Sequence, residues 1–242
     1  MAINANIFRR TTDRKLFIAS AIVFPLVVFI GYFKTYYFRA FFDVPAFGSW
    51  LVHFHAFVMT AWVLYFVAQV ALVRTKNLKI HMSMGMAGIA LAALVIVVGL
   101  ATAWNSHIVR GTAPGGIDPH AFFLIPVLDM LFFILFFGGA IYWRKKPDYH
   151  KTLMLMTAIN FSPAAIARIP ILPPEMMILQ WIVLPIVLGI ACFVYYTWKH
   201  RKFNWVFATA LFLFSVSGPW RLWFAFTPTW LNFVNWLAGV VS

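Results

Sequence analysis

The chain has 242 residues, of which 63% are hydrophobic and only 10% are charged. Soluble domains carry roughly 25% charged residues, and the interior of a soluble domain of this length is too small to hide so much apolar surface. The composition therefore excludes an ordinary soluble protein. It favours an all-α integral membrane protein, because backbone groups at open sheet edges find no partners in lipid.

The net charge of +13 would suit a nucleic-acid-binding protein, but its distribution indicates a membrane protein instead. Most of the 19 Lys and Arg residues fall in four short segments next to apolar runs, at 9–15, 74–79, 144–151 and 199–202. Lys and Arg concentrate in the cytoplasmic loops of membrane proteins. We therefore expect these segments in the cytoplasm, with the N-terminus inside, the C-terminus outside and no nucleic acid among the partners.

Seven apolar runs are each close to the length of about 20 residues that spans a bilayer. They predict one transmembrane helical domain over 1–242 with about seven helices, at roughly 16–33, 49–73, 82–104, 119–143, 151–170, 176–198 and 203–224. The second to fifth helices are expected to form a four-helix core. The tail at 228–242 is too short to span, and its tryptophans favour a position along the outer interface.

Several motifs that would indicate other functions are absent from the sequence. It contains no glycine-rich phosphate loop, no Gly-x-Ser-x-Gly nucleophile elbow and no His-Glu-x-x-His metal pair. The only cysteine, Cys192, lies in an apolar run and cannot form an intrachain disulfide or hold an iron–sulfur cluster. The chemistry has to be sought among the histidines and the few acidic residues.

Five of the seven histidines lie at predicted helix ends. His53, His55 and His120 lie at the outer ends of the second and fourth helices, and His81 and His150 lie at the inner ends of the third and fifth. Two b-type haems, each held between imidazoles of two helices, need this layout because axial ligation takes one nitrogen from each side of the iron. The pattern predicts an outer haem between His55 and His120 and an inner haem between His81 and His150. His53 is roughly 200° around the helix from His55, so it would contact a haem propionate or the loop.

This order of helices and histidines resembles the dihaem core of cytochrome b561-type proteins, in which helix two pairs with helix four and helix three with helix five. The resemblance covers about 49–170. It implies one or two haems b, electron transfer in the membrane, a membrane redox complex as partner, and quinone as a candidate electron donor or acceptor.

Nearly the whole chain also resembles a family of uncharacterised bacterial multi-helix membrane proteins. The shared features are Gly31-Tyr-Phe-Lys-Thr-Tyr-Tyr, His53-Phe-His-Ala, Ala61-Trp-Val, Gln69 and the run that begins at His81. This resemblance implies a multi-pass protein of the bacterial inner (cytoplasmic) membrane. It implies no particular activity.

Asp129 lies about 16 Å beyond Asp118 along the fourth predicted helix. An ionisable group at that depth is costly and marks a functional site by default. We expect proton transfer or quinone contact there, or else a hydrogen-bonded packing role with Asn160. Arg168 and Arg221, near the outer ends of the fifth and seventh helices, are expected to bind lipid phosphates or haem propionates.

Three hypotheses for the function follow from the sequence, and whether the chain is an enzyme stays open. The first is a b-type haem electron-transfer protein. The second is a non-catalytic accessory or scaffolding subunit of a membrane complex, in which the histidines serve helix ends and packing. The third is a membrane metal enzyme with zinc, copper or iron in an outer cluster of His53, His55, His120 and Asp118. His107 and His200 are expected in loops and solvated.

Overall fold

The computed structural model describes residues 2–44 and 46–241, with the side chains of 2–14, 174 and 241 left out. This part of the chain is all-helical and contains no strand, as the sequence predicts. Its α-helices are α1 Ala2–Tyr32, α2 Trp50–Arg74, α3 Leu78–Trp104, α4 Pro119–Phe122, α5 Leu124–Tyr142, α6 Pro147–Ile166, α7 Met177–His200, α8 Trp205–Ala225 and α9 Pro228–Val241. Two π-helical segments, Phe33–Tyr37 and Asn105–Val109, continue α1 and α3.

Five helical segments of the described chain are long and apolar enough to cross a membrane, with a mean hydropathy between 2.0 and 2.5. They are Lys15–Tyr37, Trp50–Arg74, Leu78–Val109, Pro119–Tyr142 and Met177–His200. These segments indicate a multi-pass membrane protein. The helices α6 and α8, which the sequence also predicts as spans, fall outside this set. Each carries polar side chains that face its neighbours, including Asn160 on α6 and Arg221 on α8.

Three helices begin where a short polar side chain accepts a hydrogen bond from the first turn. The Ser49 hydroxyl accepts from the backbone N–H of Leu51 at 3.2 Å at the start of α2. Asp118 caps α4 in the same way, and the Asn204 side chain caps α8 at 3.0 Å from the backbone nitrogen of Phe207. Such caps satisfy N–H groups that have no partner inside the helix.

Helix α6 lies at the centre of the bundle and contacts α1, α5, α7 and α8. Twelve of its 20 residues are buried. Small residues allow α1 to approach it closely, since a Cβ atom on Gly31 would lie only 2.3 Å from the backbone oxygen of Ala165. Close backbone approach through small residues is a common basis of helix packing in membranes.

The four predicted core helices, α2, α3, α5 (with α4) and α6, meet around an aromatic cluster. The fully buried Trp62 of α2 contacts Phe133 and Phe137 of α5, with ring centroids 4.9 and 5.6 Å away. Phe161 of α6 packs on Phe133 at 4.9 Å. Helix α1 contacts both α2 and α6. The aromatic cluster therefore joins helices that are distant in the chain.

The predicted interfacial tail is a helix, α9, that packs against α4 and α8. Its Trp230 is buried and donates its indole N–H to the backbone oxygen of His120 at 2.9 Å. Val234 is also buried, whereas Phe233 and Trp236 are exposed. One face of α9 thus covers α4, and Phe233 and Trp236 lie exposed on the other side of the helix.

Candidate functional site

The inner pair of histidines is brought together by the fold. His81 is the fourth residue of α3 and His150 is the fourth residue of α6. Their ring centroids lie 6.3 Å apart, and the ring planes are nearly perpendicular at 86°. Among the described residues this is the only contact between two histidine rings. The sequence placed these residues at the inner ends of two different helices, and the structure makes them neighbours.

His150 is held in one orientation by a backbone contact. Its Nδ1 atom lies 2.9 Å from the backbone oxygen of Ala140, near the end of α5. A carbonyl oxygen only accepts, so Nδ1–H is the donor, and in a neutral ring the lone pair is then on Nε2. Metal-binding histidines commonly donate their other ring N–H to a carbonyl in this way.

The His81 ring is half-buried, and its Nδ1 atom is buried without a hydrogen-bond partner in the described part of the chain. One turn along α3, the backbone oxygen of Met84 accepts a hydrogen bond from the Tyr65 hydroxyl at 2.8 Å. Tyr65 in turn accepts from the Gln69 side chain at 2.8 Å, and the Gln69 Oε1 atom is buried and unpaired. Unpaired buried polar atoms are uncommon and costly. Two of them therefore lie on the α2–α3 side of the histidine pair.

The outer histidines do not form such a pair in the structure. No ring contact or hydrogen bond joins His55 to His120 among the described residues. His120 instead places Nδ1 2.6 Å from the Oδ1 atom of Asn235 on α9. His53 lies 3.2 Å from the Tyr36 hydroxyl. The His55 Nδ1 atom is buried and unpaired, so an outer haem between His55 and His120 stays a prediction.

The predicted outer metal cluster is not assembled. Within the described ranges, no group of three or more His, Cys, Asp or Glu side chains could hold a metal ion. His53, His55 and His120 are each described, and so is Asp118, whose carboxylate caps α4. This result does not bear on haem, because axial ligation of the iron needs only two histidines.

Asp129 forms an ion pair that the sequence did not predict. Its Oδ1 atom lies 2.6 Å from an Nη atom of Arg221 on α8, and Arg221 is only 3% exposed. The expectation that Arg221 binds lipid phosphate is therefore wrong, because its guanidinium group is buried against a carboxylate. Asn160 does contact Asp129, but it donates to the backbone oxygen at 2.9 Å and not to the carboxylate. Arg168, in contrast, is exposed, and its guanidinium group lies over the Tyr32 ring.

A second polar cluster, the Asp148 cluster, ties the inner ends of α6, α7 and α8 together. It consists of Asp148, Lys151, Tyr196, His200 and Asn204. The Lys151 ammonium lies 2.7 Å from the Asp148 carboxylate, and the Asn204 side chain donates to the Asp148 backbone oxygen at 3.1 Å. His200 is buried and stacks on Tyr196 at 4.1 Å. The expectation of a solvated His200 is wrong, because α7 continues to this residue and packs it inside the cluster.

Comparisons of the chain with protein-family models, curated proteins and solved structures found no match. The histidine pair, the Asp129–Arg221 ion pair and the Asp148 cluster are therefore interpreted from their own geometry.

Proposed function

We propose that this chain is a b-type haem electron-transfer protein of the membrane, in which His81 and His150 would hold one haem. The distance between their rings carries the proposal. A metal ion lies about 2 Å from each imidazole nitrogen that binds it, so two rings on opposite faces of an iron have centroids roughly 6 Å apart. The two rings here are 6.3 Å apart.

The residues around the pair fit such a group. Donation from His150 Nδ1–H to Ala140 leaves Nε2 available as a ligand and fixes the ring plane. The His81 Nδ1 atom is buried and has no hydrogen-bond partner among the described residues. Neutral imidazole is also a less costly ligand inside a membrane than a carboxylate. When bound, the haem would supply one-electron chemistry, and the chain would hold the iron and orient the two rings.

A second haem at His55 and His120 is part of this hypothesis, with quinone as a candidate electron partner. The unpaired Nδ1 atom of His55 supports it. His120 would need its Nε2 atom as the ligand, because Nδ1 is bonded to Asn235. A count of the haems per chain therefore tells whether the protein has one haem site or two.

We also infer that α6 and α8 cross the membrane, giving seven spans with the N-terminus in the cytoplasm and the C-terminus outside. The predicted spans 151–170 and 203–224 contain 20 and 22 residues, and at 1.5 Å per residue they reach about 30 Å, the thickness of the hydrocarbon core. The polar side chains of Asn160 and Ser162 on α6, and of Ser217 and Arg221 on α8, are buried inside the bundle. The basic segments support this orientation in the bacterial inner membrane.

The test of the haem proposal is a reduced-minus-oxidised absorption spectrum of protein purified in detergent, with a haem count by pyridine haemochrome. We expect sharp reduced bands, and we expect His81→Ala and His150→Ala to remove the same haem. The matched control is His53→Ala, which should keep that haem because His53 bonds to Tyr36. If a second haem is present, we expect His55→Ala and His120→Ala each to remove it and to leave the first haem in place.

A colourless protein from cells with ample haem would contradict the proposal. The accessory-subunit hypothesis would then take its place, and the contact between His150 and Ala140 would be a helix-packing device. Under that hypothesis, we expect a partner protein to copurify with the chain.

A further inference from the structure

The buried guanidinium group of Arg221 has one donor that nothing in the described chain uses. One Nη atom bonds to Asp129 at 2.6 Å, and the other donates to the Ser217 hydroxyl at 3.1 Å. The Nε atom is buried and has no acceptor among the described residues. Leaving a charged donor unpaired is costly. The Arg221 Nε–H group therefore needs one more hydrogen-bond acceptor than the described residues supply.

A small cavity lies beside the Arg221 side chain, between α6, α7 and α8. It has a volume of about 20 Å³ and is lined by Arg221 and Ser217 together with the apolar side chains of Trp181, Ile182 and Phe214. A cavity needs roughly 10–15 Å³ to admit one water-sized group. The cavity therefore has room for a single oxygen atom, and the rest of the molecule that carries this oxygen would lie outside the cavity.

The charge and the surroundings of the cavity restrict what can supply that oxygen. The Arg221 charge is already balanced by Asp129, so an additional anion would leave a net charge buried. The helix faces outside the cavity are apolar, with Val183 and Val216 well exposed. An uncharged molecule that reaches the site from the lipid is therefore favoured.

We propose that this cavity binds the carbonyl oxygen of an uncharged, membrane-dissolved molecule, with Arg221 Nε–H as the hydrogen-bond donor. Two sources supply such a carbonyl: the ring of a lipid-soluble quinone and the ester of a lipid. The Trp181 ring lies 6.0 Å from the guanidinium carbon and offers a flat surface to a ring ligand. The choice of a quinone as first probe rests on the proposed electron-transfer function.

The test is photolabelling of the protein in lipid nanodiscs. One probe is a benzoquinone with a ten-carbon chain and a photoreactive group, and the other carries an ester in place of the quinone ring. We expect the quinone probe to label α7 around Trp181 and α8 around Ser217, as found by peptide mass spectrometry. Labelling by the ester probe alone, at the same peptides, would keep the carbonyl site and assign it to lipid.

Two variants test the site by different means. Ile186→Phe fills the cavity without touching the ion pair, since Ile186 lines the cavity. Arg221→Lys keeps a positive charge near Asp129 but removes the Nε donor. Each should weaken labelling roughly tenfold or more, the effect of losing a hydrogen bond to a charged group. The control is Val187→Phe, at an exposed neighbouring position, which should label like the wild type.

Labelling that both variants leave unchanged would overturn the carbonyl site. So would labelling by both probes spread evenly over the lipid-facing helices. Neither result would affect the haem proposal, because the haem count is measured separately and Ile186→Phe does not touch His81 or His150.

Discussion

At the scale of single residues, the Asp129–Arg221 ion pair is the feature with the largest expected effect on stability. The Arg221 side chain is buried, the Asp129 side chain is only 19% exposed, and the two form an ion pair at 2.6 Å. Removing one partner of a buried pair leaves the other charge uncompensated, whereas replacing both with apolar residues is often neutral. The pair therefore predicts a non-additive pattern of substitutions.

We expect Asp129→Asn to lower the free energy of unfolding by about 3–5 kcal/mol. The double variant Asp129→Asn with Arg221→Met should regain most of that loss, because no charge is left unpaired. The free energies of unfolding of both variants are measured from unfolding curves in detergent micelles, recorded by circular dichroism. The control is Arg168→Met, an exposed arginine whose replacement should change stability by no more than about 0.5 kcal/mol. Strictly additive losses in the double variant would contradict the ion-pair explanation.

The sequence identified Asp129, His81 and His150 because each is a costly or chemically distinctive residue in an apolar chain. It did not identify Arg221 as the partner of Asp129. The two are 92 residues apart, and the helices that carry them are apolar on most sides, so periodicity does not tell which faces meet. For the same reason the sequence, which predicts a haem at each histidine pair, could not tell in which pair the two rings are in contact.

At the scale of helices, the contact between α1 and α6 depends on the missing side chain of Gly31. We expect Gly31→Ala to destabilise the protein by about 1–3 kcal/mol, because the new methyl group would overlap the Ala165 backbone. The matched control is Gly138→Ala on α5, where nothing lies within 4 Å of the new Cβ. That change should be neutral or stabilising, since alanine favours a helix over glycine. Equal effects of the two substitutions on the melting temperature would contradict the packing argument.

The Asp148 cluster predicts a pH-dependent link between α6, α7 and α8, next to the start of the predicted span 151–170. Burial by itself raises the pKa of the Asp148 carboxyl, but the hydrogen bond and charge of Lys151, with Tyr196 and His200, lower the pKa below its ordinary value of 3.8. A lowered pKa stabilises the fold above that ordinary value, and the stabilisation is lost as the pH falls through the folded-state pKa.

We therefore expect wild type to be more stable than Asp148→Asn near neutral pH, and the difference to vanish under acidic conditions below the lowered pKa. Melting temperatures of the two proteins over a pH series measure this difference. A difference that stayed constant down to the most acidic pH would show that the carboxylate charge is not its source.

Some helix boundaries could be predicted from the sequence, because runs of apolar residues and polar caps define them locally, whereas α1 begins at Ala2 and not near 16, and α6 begins and ends four residues before the predicted 151–170. The predicted 49–73 and 82–104, for example, correspond to α2 and to all but the first turn of α3. The sequence did not predict the packing of α9 on α4. That contact depends on Trp230 finding the backbone of His120, and a tryptophan near a membrane surface is equally suited to lipid headgroups.

At the scale of the whole molecule, the crossing of α6 and α8 decides where two loops lie. With seven spans, the loop after α6 is outside and the loop after α7 is in the cytoplasm. With only the five most apolar segments crossing, both positions are reversed. Both arrangements place the C-terminus outside, so a reporter fused there would not distinguish them.

The test introduces single cysteines into these loops, in a variant in which Cys192 is replaced by serine. We expect Ile171→Cys to react with a membrane-impermeant maleimide in intact cells and Lys202→Cys to react only after the membrane is opened. Both positions are exposed. Val109→Cys, outside in either arrangement, and Arg144→Cys, inside in either arrangement, are the controls. The reverse labelling pattern at Ile171 and Lys202 would exclude the seven-span topology.

The contact of α9 with His120 has a consequence for biosynthesis. It joins residues 115 positions apart, and chains are synthesised from the N-terminus onward. The ribosome therefore finishes the helices that carry His81 and His150 long before it makes Trp230 and Asn235. During that interval the outer end of α4 is uncovered, whereas the inner histidine pair is already complete. If His81 and His150 hold a haem as proposed, its binding would not have to wait for α9, whereas α4 is covered only when translation reaches the last described helix.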